Sequence, residues 1–237
     1  MIKTIFLSTR ERLKKIFEKL NLITPMNEKP LFINTSWDRY YNLSILVSDS
    51  LKELKEQNIE NIYIAEAGIG IGSTFVYLSA LAERIGTRIV GFDSFKGFPQ
   101  IENSKDQRLF GRPVKKGDLN YSSIVSLKKR LKNSGIKQDF INNNVELIEG
   151  YFKDSLQNFG ANKKIFFLHL DVDLYSSYKI CLEKLWNNVI EGGIICFDEY
   201  SDPKWPGAKE AVDEFLKTKG LSVKIEPVTN RGFVMKK

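Results

Sequence analysis

Two apolar runs in the chain stop abruptly on acids. Phe166-Phe167-Leu168-His169-Leu170 runs into Asp171-Val172-Asp173, and Ile194-Ile195-Cys196-Phe197 runs into Asp198-Glu199. Runs of this length and apolarity read as strands buried on both faces of a parallel sheet. The carboxyl ends of such strands form the ligand crevice of an open α/β fold, so the acids are expected to face one site. Carboxylates gathered there repel one another unless a cation or shared protons intervene. An all-oxygen set of that kind points to a hard ion such as Mg²⁺.

The rest of the chain fits such a sheet. Leu43, Leu46, Val47, Leu51 and Leu54 keep helical spacing, and residues 61–65 read as a strand leading into glycines. Helix 73–84, strand 87–92, helix 121–133, strand 145–149, strand 164–170, helix 176–188 and strand 193–198 follow, a βαβ rhythm. After a helix at 208–217, segments 221–227 and 231–236 flank Thr229-Asn230 and read as a hairpin, hence an antiparallel edge. The expectation is a mostly parallel seven-stranded α/β sheet with helices on both faces and a C-terminal antiparallel hairpin.

At 237 residues, one domain over 35–237 is the default. Ahead of it, residues 1–34 form a helical segment and linker. Ile5, Leu13, Ile16, Phe17 and Leu20 give a partly amphipathic basic helix to about residue 22, and Pro25 and Pro30 interrupt it. Packing or dimer contact suits that helix better than a membrane surface, for which the apolar stripe is too weak. Between Asp93 and Tyr121 a long polar stretch carries Phe95, Phe98 and Phe110 without sustained period. It reads as a lid near 94–121 rather than a passive insertion.

The net charge of +7 is spread among acids and forms no basic block, so an anionic small molecule fits it as well as a polyanion does. Nucleic acid is accordingly not the expected partner. Cys181 and Cys196 lie in apolar segments without a Cys-x-x-Cys pair and read as reduced core thiols. The first apolar stretch is too short for a signal peptide and no run approaches a membrane span, which makes the cytoplasm the default setting.

Glu66-Ala67-Gly68-Ile69-Gly70-Ile71-Gly72-Ser73 puts a glycine turn between the first strand and a helix. Glycines let backbone approach a ligand without a β-carbon, and the helix start offers free N–H groups, so Gly68, Gly70, Gly72 and Ser73 are candidates for holding a nucleoside cofactor. A nicotinamide fingerprint wants Gly-x-Gly-x-x-Gly, which this spacing does not supply. Asp93, ending the second strand, is placed to accept both hydroxyls of a ribose.

With these acids in register, the chain resembles the macrocin O-methyltransferase family, metal-dependent sugar and natural-product O-methyltransferases of the class I, Rossmann-like type. The resemblance covers most of residues 35–217 and is carried by five blocks in order: 66–72, 91–99, 170–177, 192–200 and 206–215. It implies S-adenosylmethionine as methyl donor, with Glu66 near the cofactor's amino-acid end, and Mg²⁺ as cofactor. It implies Asp171 as metal ligand and base, with Asp198 and Glu199 completing the metal site. Glu199 stands where the family often has aspartate, so it is either a ligand or a group behind one. A homodimer and a sugar-containing small-molecule substrate are further expectations of the family.

Methyl transfer to oxygen needs the acceptor hydroxyl close behind the methyl and losing its proton, work suited to a metal and a neighbouring carboxylate. Asp173 reads as a cap for the helix near Ser176 or as support for the site. His169 shares a strand face with Asp171, about 6.6 Å deeper, and reads as a buried, hydrogen-bonded histidine. Tyr175 either lines the acceptor site or covers the core. Trp205-Pro206-Gly207 either touches substrate or simply opens a helix. Arg39 meets the cofactor carboxylate or forms a surface ion pair. The expected activity is O-methylation of a sugar hydroxyl on a nucleotide-linked deoxysugar, a glycan or a glycosylated natural product. Its rivals are a catechol-type methyltransferase, an RNA methyltransferase, a dehydrogenase and a non-catalytic cofactor-binding protein.

Overall fold

The computed structural model describes residues 37–54, 62–227 and 229–237. The expected helix within residues 1–22 lies outside them. Helix α1 (Trp37–Leu54) precedes β1 (Ile62–Ala67), α2 (Ser73–Ile85) and β2 (Arg88–Asp93). Then come α3 (Ile124–Asn133), α4 (Gln138–Asn144), β3 (Val145–Glu149), α5 (Phe152–Ser155), β4 (Lys164–Leu170) and α6 (Tyr175–Leu185). β5 (Val189–Phe197), α7 (Pro206–Thr218), β6 (Lys224–Ile225) and β7 (Gly232–Met235) close the chain.

One seven-stranded sheet has the order β3-β2-β1-β4-β5-β7-β6. The first five strands in that order are parallel, whereas β7 runs antiparallel to both β5 and β6. The expected fold class is therefore the observed one. Strand order reverses between β1 and β4, and a crevice opens beyond the carboxyl ends at such a switch point.

Side-chain alternation on β4 builds both halves of the core. Leu168 and Leu170 pack on one face with Tyr178 of α6 and Val212 of α7. Phe167 packs on the other with Leu43 and Val47 of α1 and Phe75 of α2. All of these are buried, each contributing about 1.5–3 kcal/mol by leaving water. His169 falls between Leu168 and Leu170 and so turns toward the α1 and α2 side.

Several boundaries differ from expectation for local reasons. β5 begins at Val189, before the expected 193, because Glu191-Gly192-Gly193 breaks the apolar run but not the strand. The β4–β5 register shifts there, with Ile165 opposite Val189 and Phe167 opposite Ile194. The arms of the hairpin are shorter than expected, and its turn is wider than Thr229-Asn230. Glu226 N–H donates to the Arg231 carbonyl and Asn230 N–H to the Glu226 carbonyl. The helices Gln138–Asn144 and Phe152–Ser155 are too short to carry a readable period and were not expected.

Candidate functional site

Four acids of the crevice come from strand ends. Asp93 ends β2, Asp171 follows β4, and Asp198 and Glu199 follow β5. A cavity of about 1230 Å³ lies over them, and Gly68, Gly70, Ser73, Asp93, Arg39, Asp171, Asp198 and Glu199 all line it. Such a volume exceeds that of an ordinary single-ligand pocket, leaving room for two reactants. Of the expected site residues, Gly72 and Glu66 are not on its wall.

Gly68 is where the two halves of the sheet meet. Its φ is +84°, and a Cβ there would stand 1.8 Å from the Asp171 carbonyl oxygen. Only glycine permits that approach. Asp171 N–H in turn donates to the Ala67 carbonyl at 3.0 Å, tying the β1 and β4 ends together. Asp93 shapes the turn that follows: its Oδ2 accepts from Ile69 N–H at 2.8 Å and Gly70 N–H at 3.1 Å, and its Oδ1 from Phe95 N–H at 2.7 Å. A carboxylate has about four acceptor positions, so Asp93 keeps capacity for a ligand. Gly72 is the N-cap of α2 and, having no side chain, makes no cap bond to the N–H groups of that helix's first turn.

Beneath this floor lies a buried pair. Glu66 and His169 are cross-strand neighbours in the β1–β4 register, and Glu66 Oε1 lies 2.9 Å from His169 Nδ1. Both are essentially inaccessible, and Glu66 Oε2 has no hydrogen-bond partner among the described residues. Burial lifts the Glu66 carboxyl to about 7 against the pull of His169. Burial opposes charge on His169, but its contacts with Asp198 and Glu66 outweigh it and raise the imidazole to about 9. The buried, hydrogen-bonded reading of His169 holds. Glu66, expected beside the cofactor, has one oxygen already engaged by that histidine.

Above the pair, Asp171, Asp198 and Glu199 bring ligand oxygens within 4.8 Å of one another. Asp198 is the charged member. Arg39 Nη2 donates to its Oδ2 and Arg231 Nη1 to its Oδ1, while His169 Nε2 lies 3.6 Å from Oδ1. Burial works against its charge, yet His169 and the two guanidinium groups hold it well below the ordinary range. The other acids move upward. Burial and then the Asp198 charge raise Asp171; burial and then Asp171 and Asp198 lift Asp173 to about 8; burial and the same neighbours push Glu199 well up. Burial and mutual repulsion thus oppose full ionisation of the clustered carboxyl groups. An oxygen-only set whose members repel one another fits a hard divalent ion.

Asp173 does not cap α6: Ser176 N–H donates instead to Asp106 Oδ1 at 2.7 Å. Asp173 lines the cavity with φ 56°, a backbone conformation that is strained for a non-glycine residue. Tyr175 donates its hydroxyl to Glu214 of α7 at 2.6 Å, with the Lys105 ammonium 4.5 Å above its ring, so it covers the core. Pro206 opens α7, and Trp205 sits buried in the cavity wall edge-on to Phe98 at 6.0 Å between centroids. The stretch 94–121 forms the facing wall. Phe98 N–H donates to the Asp118 carbonyl at 2.8 Å and Leu109 N–H to the Lys204 carbonyl at 2.9 Å.

The family model for macrocin O-methyltransferase (TylF) matches residues 43–237. The chain belongs to the macrocin O-methyltransferase family. A curated relative, demethyldecarbamoylnovobiocin O-methyltransferase of Streptomyces niveus, is 27% identical over 155 residues, 64% of this chain. The aligned region spans 57% of that relative's length. Among solved structures, the calicheamicin methyltransferase CalS11 superposes with TM-score 0.68 at 23% identity, covering 93% of this chain and 90% of its own. The O-methyltransferase NovP superposes with TM-score 0.67 at 21% identity, covering 84% and 79%. At these identities the superpositions carry the fold.

Two residues of this macrocin O-methyltransferase family member were not picked out from sequence. Arg231 reaches Asp198 because β7 pairs with β5 so that Gly232 lies opposite Phe197, which places position 231 opposite 198. The hairpin register held that signal. Tyr178, one turn into α6, donates its hydroxyl to Glu199 Oε2 at 2.6 Å, and nothing in the spacing marks it.

Proposed function

We propose that the chain is an S-adenosylmethionine-dependent, Mg²⁺-assisted O-methyltransferase acting on a sugar hydroxyl of a small molecule. The observation that carries this reading is the meeting of the Gly68–Ser73 turn and the Asp171, Asp198, Glu199 cluster across one cavity at the β1–β4 switch point. Family membership supports it. S-adenosylmethionine would be held by the glycine turn, the uncapped first turn of α2 and the remaining capacity of Asp93, and it supplies an activated methyl group. Mg²⁺ would be held by Asp171, Asp198 and Glu199, and it supplies acidity and orientation to the acceptor hydroxyl.

The chain's own residues do the rest. Asp171 takes the hydroxyl proton, a role for which its burial and its proximity to Asp198 favour the protonated product. Asp198 stays charged. Tyr178 and the backbone N–H of Asp173 fix one oxygen of Glu199, leaving the other for the cluster. Phe98 and Trp205, with the lid of 94–121, exclude water from the reacting centre. A cytoplasmic homodimer goes with this reading, and sedimentation checks its assembly. Labelled methyl transfer from S-adenosylmethionine, offered nucleotide-linked deoxysugars beside catechols, with and without exhaustive chelation, is the deciding experiment. Transfer to catechols alone overturns the acceptor class. Full activity after chelation overturns the metal.

A further inference from the structure

Arg39 sits between the two carboxylates that a cation at this cluster has to share. Its Nη2 donates to Asp198 Oδ2, and its Nη1 lies 3.5 Å from Asp171 Oδ2 while donating to Thr74 Oγ1 at 3.2 Å. The same acids, with Glu199, are the three whose oxygens fall within 4.8 Å of one another. The guanidinium therefore bridges the mouth of the cluster and supplies positive charge to the oxygens a metal requires. Two like-charged groups held to one carboxylate pair at this separation repel each other strongly in a partly buried site.

We propose that Arg39 is a resident counter-cation that must leave the Asp171–Asp198 bridge when a divalent ion loads, so that it sets the metal affinity of the site. The proposal rests on the metal reading given above. Arg39 is built to leave. A guanidinium offers five donors, yet buried Arg39 Nε has no hydrogen-bond partner among the described residues. Among the described residues its anchor outside the acids is the Thr74 hydroxyl. Arg39 also lines the cavity, so its side chain has space to swing. Arg231 differs. It binds Asp198 Oδ1 and lies 3.4 Å from the Asp198 carbonyl oxygen, leaving Oδ2 to face Asp171. Loading thus exchanges one guanidinium for a divalent ion while the other keeps Asp198 aimed.

The test uses Mn²⁺ as the probe, with free Mn²⁺ followed by electron paramagnetic resonance and neither methyl donor nor acceptor present. Arg39→Gln is expected to bind Mn²⁺ about tenfold more tightly than wild type, or better. Arg39→Lys, which keeps the charge, is expected to stay near wild type, and Asp171→Asn to lose binding. Equal or weaker binding by Arg39→Gln, with wild type still binding, overturns the role of Arg39 alone. Failure of both to bind overturns the metal reading and this proposal with it. Should Arg39→Gln not fold, wild-type crystals soaked in Mn²⁺ decide. An anomalous peak between Asp171 and Asp198 with Arg39 withdrawn supports the exchange, and a peak with Arg39 still bridging overturns it.

Discussion

Arg231 donates to the same carboxylate that Arg39 holds from the opposite side, so Asp198 is clamped between the first helix and the last hairpin of the described chain. Desolvating a carboxylate is costly unless such partners compensate it. Arg231→Met is expected to lower stability by about 2 kcal/mol, less than a wholly unpaired buried charge costs because Arg39 remains. Urea denaturation measures it. The double variant with Asp198→Asn is expected to recover part of the loss, and additive losses refute the coupling.

Asp171→Asn keeps the size of the side chain and removes its basicity. Turnover is expected to fall by about 10²- to 10⁴-fold, with S-adenosylmethionine binding by calorimetry nearly unchanged. Unaltered turnover removes Asp171 as the base. A parallel loss of cofactor binding places the side chain's role in binding rather than in proton transfer.

Gly68→Ala tests the meeting of β1 and β4. A methyl group there has a backbone carbonyl 1.8 Å away at a φ of +84°, and no rotamer relieves it. The two strand ends have to separate. A loss of more than about 2 kcal/mol, or failure to accumulate folded protein, is expected. Gly70→Ala is the control: its Cβ meets nothing within 4 Å, though its φ of +54° still carries strain. Equal melting temperatures for the two variants contradict the close approach.

The Glu66–His169 pair gives a pH signature. Both groups hold protons more tightly in the folded chain, His169 at about 9 against an ordinary 6.5 and Glu66 at about 7 against 4.5. The stability His169 supplies is full below pH 6.5 and is lost as pH rises through 9. That of Glu66 is lost between 4.5 and 7. Wild type is therefore expected to exceed His169→Gln most at pH 6 and least at pH 9.5 in denaturant titrations. A gap that widens with pH contradicts the assignment.

The sheet was legible because its strands announce themselves. Phe166 to Leu170 and Ile194 to Phe197 are apolar enough to require burial, and the acids behind them had to emerge at one edge. The glycine turn was legible for a similar reason, since few other uses put glycines between a strand and a helix. What stayed hidden was pairwise. The family resemblance implied a place for Glu66 near the cofactor, but only the β1–β4 register sets it beside His169. Arg39 was assigned to a cofactor carboxylate or a surface pair, whereas α1 packs its first turn against the acids of two other strands. Asp173 looked like a helix cap, yet Asp106, nearly seventy positions earlier, takes that bond. Side-chain partners across long separations are set by packing, which no local period records.

The hairpin that ends the sheet bears on how the protein is made. Arg231 lies downstream of β1, β4 and β5 and of every acid in the cluster. A chain growing from the ribosome has therefore made Asp171, Asp173, Asp198 and Glu199 before one of the two guanidinium partners of Asp198 exists. Until β7 slots in between β5 and β6, Arg39 alone among the described arginines stands against Asp198. Pairing of β7 with β5 therefore supplies the second guanidinium of Asp198 only after the acids of the site have been made.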